Sequence, residues 1–102
     1  MVTENDIGKI VYNCSWQDGS IEKGVLDCFY YGGATQFFII KRGKGRIFKH
    51  YVFSRNTFVK KKEIMSFLNK YSCFDKKTKS EFVYFGSNRI MLKDLFRKIK
   101  DL

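Results

Sequence analysis

Between residues 9 and 54 the chain is a succession of β-branched and aromatic runs, each closed by a glycine-bearing turn. No other feature restricts the possible folds as tightly. Lys9 to Trp16 holds Ile10, Val11, Tyr12 and Trp16 and ends at Asp18-Gly19, a strong hairpin signal because glycine accepts a positive φ. A second strand is expected from Ile21 to Tyr31, closed by Gly32-Gly33, with Gly24 inside it predicting a bulge or bend. Thr35 to Lys41 reads as a third strand, apolar enough to be central. Arg42-Gly43-Lys44-Gly45 turns the chain into a fourth, Arg46 to Ser54. In that strand Ile47, Lys49, Tyr51 and Phe53 alternate with Phe48, His50 and Val52, so both faces carry aromatic rings.

The pattern then changes period. Ile64, Phe67, Leu68 and Tyr71 recur at helical spacing and predict an amphipathic helix over Lys61 to Tyr71. Residues 72–79 read as a polar, basic connection, and Glu81 to Gly86 as a short strand. Leu92, Leu95, Phe96, Ile99 and Leu102 form one stripe of a second helix from Met91 to Leu102, with Ser87 or Asn88 as its cap. The expected order is β-β-β-β-α-β-α. The expected class is α+β: a small, strongly bent antiparallel sheet with two amphipathic helices. A chain of 102 residues has room for one domain, divided here into β-rich hairpins over 1–56 and a basic helix-strand-helix portion over 57–102.

Composition excludes several classes. A hydrophobic fraction of 44% with 18% aromatic residues is far above that of a disordered chain. No apolar run approaches the roughly 20 residues of a membrane span, and the opening MVTENDIGKI is too polar for a signal peptide. A cytoplasmic protein with no membrane partner is expected. Cys14, Cys28 and Cys73 are an odd set with no C-x-x-C pair, and with His50 they lack the paired spacing of zinc ligands. Reduced thiols, no metal and no cofactor are the expectation. His50 is the sole histidine, no G-x-S-x-G nucleophile motif accompanies it, and the ten acids are scattered. The chain is therefore expected to be no enzyme, with no catalytic residues.

The formal net charge is +10, but its distribution says more than its size. Residues 1–40 hold five acids and two bases, a net of −3, whereas residues 41–102 hold eighteen bases and five acids, a net of +13. Lys41, Arg42, Lys44, Arg46 and Lys49 fall within nine residues, on a hairpin tip, with Phe48, Tyr51 and Phe53 nearby. Cations that pair phosphates beside rings that stack bases are what a sequence-tolerant nucleic-acid surface needs. Lys60, Lys61 and Lys62 open the first helix, where the macrodipole disfavours cations by about 0.3–1 kcal/mol each. Three ammonium groups beside free helix N–H groups read as a phosphate-seeking site.

The segments Ile7-Gly8-Lys9-Ile10-Val11-Tyr12 and Asp18-Gly19-Ser20-Ile21-Glu22-Lys23-Gly24-Val25 resemble the first hairpin of small SH3-like accessory proteins. Such proteins are carried by phages and mobile elements of low-GC Gram-positive bacteria. Thr57-Phe58-Val59-Lys60-Lys61-Lys62-Glu63 is similar to a strand-to-helix junction common among them, with Lys60 in place of the usual capping Thr and Lys62 in place of the first Glu. The resemblance implies that the bent sheet of this α+β chain is an SH3-like partial barrel, and that the chain is a phage-type accessory protein, a class that includes anti-CRISPR and other anti-defence inhibitors. The expected function is non-enzymatic binding of nucleic acid, or of a nucleoprotein such as a CRISPR effector complex, to inhibit or regulate it. The alternatives are a protein-only inhibitor or assembly module acting through exposed aromatics, and sequestration of a nucleotide signal.

Overall fold

A computed structural model describes all of residues 1–102. The first four runs form strands at β1 (Ile10–Cys14), β2 (Ile21–Tyr31), β3 (Ala34–Gly43) and β4 (Arg46–Val52). A one-turn 3-10 helix over Ser54–Asn56 leads into the two-residue strand β5 (Thr57–Phe58). These five strands make one antiparallel sheet in the order β4-β3-β2-β1-β5. β2 is the long member, and it serves two neighbours in succession. Residues 21–25 pair with β1 and residues 25–31 with β3, so Val25 opposes both Ile10 and Ile40. Gly24 sits at this change of partner with no break in the strand: a Cβ there would lie 2.8 Å from the Ile40 carbonyl oxygen. The glycine answers a close backbone approach.

Strand alternation sorts the sheet into two faces. Val11, Leu26 and Ile39 line one face and pack with Val2 into a small fully buried cluster. The opposite face carries Phe29, Phe38 and Tyr51, whose rings lie 5.8–6.1 Å apart.

The second half departs from the expected order. After α1 (Lys61–Lys70) come three strands, β6 (Cys73–Asp75), β7 (Ser80–Phe85) and β8 (Asn88–Met91), and then α2 (Leu92–Lys100). They form a separate antiparallel sheet, β6-β7-β8. The order β-β-β-β-α-β-α is thus corrected to β-β-β-β-β-α-β-β-β-α. Part of the basic connection over 72–79 pairs with β7, because Cys73 to Asp75 find partners in Phe82 to Ser80. Ser87 and Asn88 cap no helix; Ser87 lies in the β7–β8 turn, Asn88 opens β8, and α2 begins after Met91. Thr57 and Phe58, grouped by sequence with the helical portion, join the first sheet beside β1.

The main core is assembled from both portions. Cys14 and Phe58 of the first sheet pack with Ile64 and Leu68 of α1, Val83 and Phe85 of β7, and Leu92, Leu95 and Ile99 of α2. Burying each such aliphatic or aromatic side chain contributes about 1.5–3 kcal/mol. Trp16 extends this core: its ring lies 5.5 Å from Phe67, 5.2 Å from Tyr71 and 5.5 Å from Phe85, bracing the β1–β2 turn against α1 and β7.

Candidate nucleic-acid interface

β4 is an edge strand, and only Val52 among its seven residues is not exposed. Its hairpin with β3 closes at Lys44-Gly45, where both residues have positive φ, 49° and 74°. That two-residue geometry matches the twist of paired strands and holds Lys44 at the tip. Register then sorts the cations. Lys41 opposes Phe48, so Lys41, Arg46, Phe48 and His50 share one face, the face of Leu26 and Ile39. Arg42 opposes Ile47, and Arg42, Lys49 and Tyr51 share the other, with Phe38.

On this second face the Lys49 ammonium lies 4.9 Å from the centre of the Phe38 ring, and Tyr51 stands edge-on to both Phe29 and Phe38. Tyr51 is 74% exposed, so its outer ring surface is available for stacking. Phe53 lies past the end of β4, 67% exposed, with the Arg55 guanidinium 5.3 Å from its ring. The structure therefore brings Arg42, Lys49 and Tyr51 together, and sets Lys41, Arg46 and Phe48 on the reverse of the same ribbon.

The lysine run at α1 sits differently. Lys60 occupies the N-cap position, where an ammonium group has no lone pair to accept from the helix N–H groups. The Glu63 carboxylate instead accepts from the Lys60 backbone N–H at 3.1 Å, placing a negative charge in the first turn. Lys61 turns away to the far end of α2, donating to the carbonyls of Lys100 at 3.2 Å and Leu102 at 2.6 Å. Its ammonium also lies 5.9 Å from the Tyr12 ring. Lys62 stays exposed beside Met65 and Phe96. The three side chains thus do not converge on one point.

A further constellation escaped the sequence reading. Glu22 of β2 accepts from Lys41 Nζ at 3.0 Å through one carboxylate oxygen, and its other oxygen lies 3.3 Å from His50 Nδ1. These residues come from three adjacent strands on the same face, and counting the hairpin registers from their turns would have aligned them. They border an open cleft of about 600 Å³ between the β1–β2 turn and the end of β4. Asn13 and Asn56 are its buried polar wall. Asn13 donates to Thr57 Oγ1 at 2.9 Å and to the Asn56 carbonyl at 3.2 Å, and Asn56 Nδ2 donates to the Cys14 carbonyl at 2.7 Å. Asn56 Oδ1 is buried and accepts no hydrogen bond. An unpaired buried acceptor costs about 1–3 kcal/mol.

Cys14 is buried in the main core, Cys28 is half-buried and Cys73 exposed, all as free thiols. Burial, followed by the nearby Asp18 charge, pushes the Cys14 thiol up to about 12, with Lys98 opposing. No three histidine, cysteine or carboxylate side chains converge as metal ligands would. No helix is long and apolar enough to cross a membrane. No family model, no curated protein and no solved structure matches the chain.

Proposed function

We propose that the protein is a non-catalytic binding protein of the cytoplasm whose β3–β4 ribbon engages single-stranded nucleic acid, free or displayed by a nucleoprotein. The observation that carries this reading is the exposed alternation on β4: Arg46 and Lys49 interleave with Phe48 and Tyr51, beside Arg42 and the Lys44 tip. Cations there offer partners to phosphates and the rings offer platforms to bases. Lys60 and Lys62 add to the positive field at longer range. The strand order β4-β3-β2-β1-β5, a β2 shared between two neighbours and a 3-10 turn before β5 support an SH3-like description. That description accords with an accessory protein of a phage or mobile element, acting as an anti-defence inhibitor of a nucleoprotein such as a CRISPR effector.

The test is a mobility-shift titration of single-stranded oligonucleotides across a salt series. Binding at low salt that weakens by roughly tenfold or more at moderate salt is the expected result. Absence of binding at low salt overturns the reading. A protein partner is the second reading, favoured by the unpaired backbone edge of β4, which is open to strand addition. Capture of a host protein that survives nuclease treatment selects it over the first.

A further inference from the structure

An apolar sheet face is ordinarily covered by a second layer. On the face of the first sheet that carries Val25, the helices cover only the β1 side: Cys14 lies in the main core, and Tyr12 and Ile21 pack against it. Leu102, past the end of α2, then lines an open groove of about 580 Å³ with Ile10, Val25 and Ile40. These three residues form one row across β1, β2 and β3, because Val25 opposes both Ile10 and Ile40. Ile10 is 56% and Val25 39% exposed, so the apolar floor runs on past the point where the helical layer stops.

Width and charge describe the missing cover. Ile10 and Ile40 are two strand spacings of about 4.8 Å apart, close to the diameter of about 10–12 Å of one helix. Alternation puts Lys23, Arg42 and Lys49 on the same face as Val25 and Ile40. None of these three cations pairs with a carboxylate of the chain. Asp27 is the only acid that the strands place there, and its carboxylate accepts from the Cys28 backbone N–H at 2.8 Å. Glu22, at the margin of the groove, is paired with Lys41. A nucleic-acid strand would meet cations here, but the aliphatic row offers its bases neither a ring nor a polar group. A second copy would bring more positive charge, since the chain carries +10 and the outward side of α2 shows Lys93, Arg97, Lys98 and Lys100.

We propose that this groove receives an acidic amphipathic helix of a partner protein. Its apolar stripe lies on Ile10, Val25 and Ile40, its acidic flanks face Lys23, Arg42 and Lys49, and it completes the layer that α2 begins. The proposal goes beyond the nucleic-acid reading of the β3–β4 ribbon and does not rest on it, because the aliphatic row and Lys23 take no part in that reading.

The isotope-labelled full chain is titrated with three peptides of about 18 residues, or five helical turns. The first carries leucines at i, i+3, i+4 and i+7 with glutamates on the flanks. The second replaces every glutamate by lysine, and the third keeps the acidic composition but scatters the leucines off one face. Saturable binding of the first, roughly tenfold or more tighter than either other, is the expected result. Backbone amide shifts should centre on Ile10, Val25 and Ile40. Val25→Thr keeps the β-branched shape and should weaken binding by about three- to tenfold. Lys23→Gln combined with Arg42→Gln should erase the preference for the acidic helix over the cationic one. Absence of binding by the acidic helix, equal binding by the acidic and scattered peptides, or shifts confined to other residues overturns the proposal. Shifts at these amides on dilution of the chain alone overturn it in favour of a second copy. Shifts there from oligothymidylate but not from the acidic helix overturn it in favour of nucleic acid.

Discussion

The Lys61 ammonium donates to the Leu102 carbonyl at 2.6 Å, so a side chain from the first turn of α1 satisfies backbone acceptors past the end of α2. A cation there interacts favourably with the negative end of the α2 dipole, at the cost of adding charge to the positive end of α1. Lys61→Met should lower stability by about 0.5–2 kcal/mol, measured by urea denaturation. Lys62→Met, with no such partner, should change it by less than about 0.5 kcal/mol. Equal losses from the two substitutions would refute the capping role.

Gly19 and Gly33 both adopt positive φ, 73° and 80°, but their surroundings differ. A Cβ on Gly19 would lie 2.7 Å from Ile90 Cδ1 and 2.9 Å from the Phe85 ring, whereas one on Gly33 meets nothing within 4 Å. Gly33→Ala should cost about 1–2 kcal/mol from backbone strain alone. Gly19→Ala should cost about 1–3 kcal/mol more, because it presses on a packed core. Thermal or chemical denaturation of the pair separates conformational strain from overpacking.

Thiol chemistry should divide the cysteines by burial. Cys73 should react rapidly with an alkylating reagent at neutral pH, Cys28 more slowly, and Cys14 only on unfolding, as followed by mass spectrometry. The raised Cys14 value also sets an alkaline limb. The unfolded thiol ionises near 9.0 and the folded one near 12, so the stability it contributes is complete below pH 9 and is lost as pH rises towards 12. Cys14→Ala should flatten that decline in a pH series of denaturation midpoints.

Acid should act in the opposite sense. Asp6, Asp18 and Asp75 are held below the ordinary carboxylate value of 3.8, chiefly by the backbone N–H groups of Thr3, Ser20 and Lys77 respectively. Their contributions are present above that value and disappear as pH falls through the lower folded values. Asp18→Asn should reduce the loss of stability below about pH 4, read from midpoints at matched ionic strength.

On the ribbon, Tyr51→Ala should weaken single-strand binding by roughly 5- to 100-fold, with a smaller effect on salt dependence. Lys49→Ala should weaken binding uniformly across sequences and reduce the salt slope by about one. A salt series of equilibrium titrations distinguishes the two signatures.

The hairpins of the first sheet were readable because glycine turns punctuate runs of β-branched and aromatic residues, and Asp18-Gly19 and Gly32-Gly33 do close the strands. β5, β6 and β8 were not. Thr57 and Phe58 are too short to show alternation, and Cys73 to Asp75 pair only because β7 lies alongside. Asn88 to Met91 runs straight into the apolar stripe of α2, so helical periodicity masks the strand. At the candidate site, the charge runs were visible, but which face each cation takes depends on register. Glu22, Lys41 and His50 are far apart in sequence and meet only through the β2–β3–β4 pairing.

The main core has a consequence for how such a chain can change over time. Cys14 and Phe58 close a cluster whose other members come from α1, β7 and α2. The hairpin portion keeps a small buried cluster of its own in Val2, Val11, Leu26 and Ile39, but neither portion holds the whole of the main core. They are therefore not interchangeable cassettes: a recombination joint near residue 60 would need partners already matched in shape on both sides. Diversification is freer at the rim, where β4 and its tip meet solvent, and where substitutions can retune what is bound without disturbing the join.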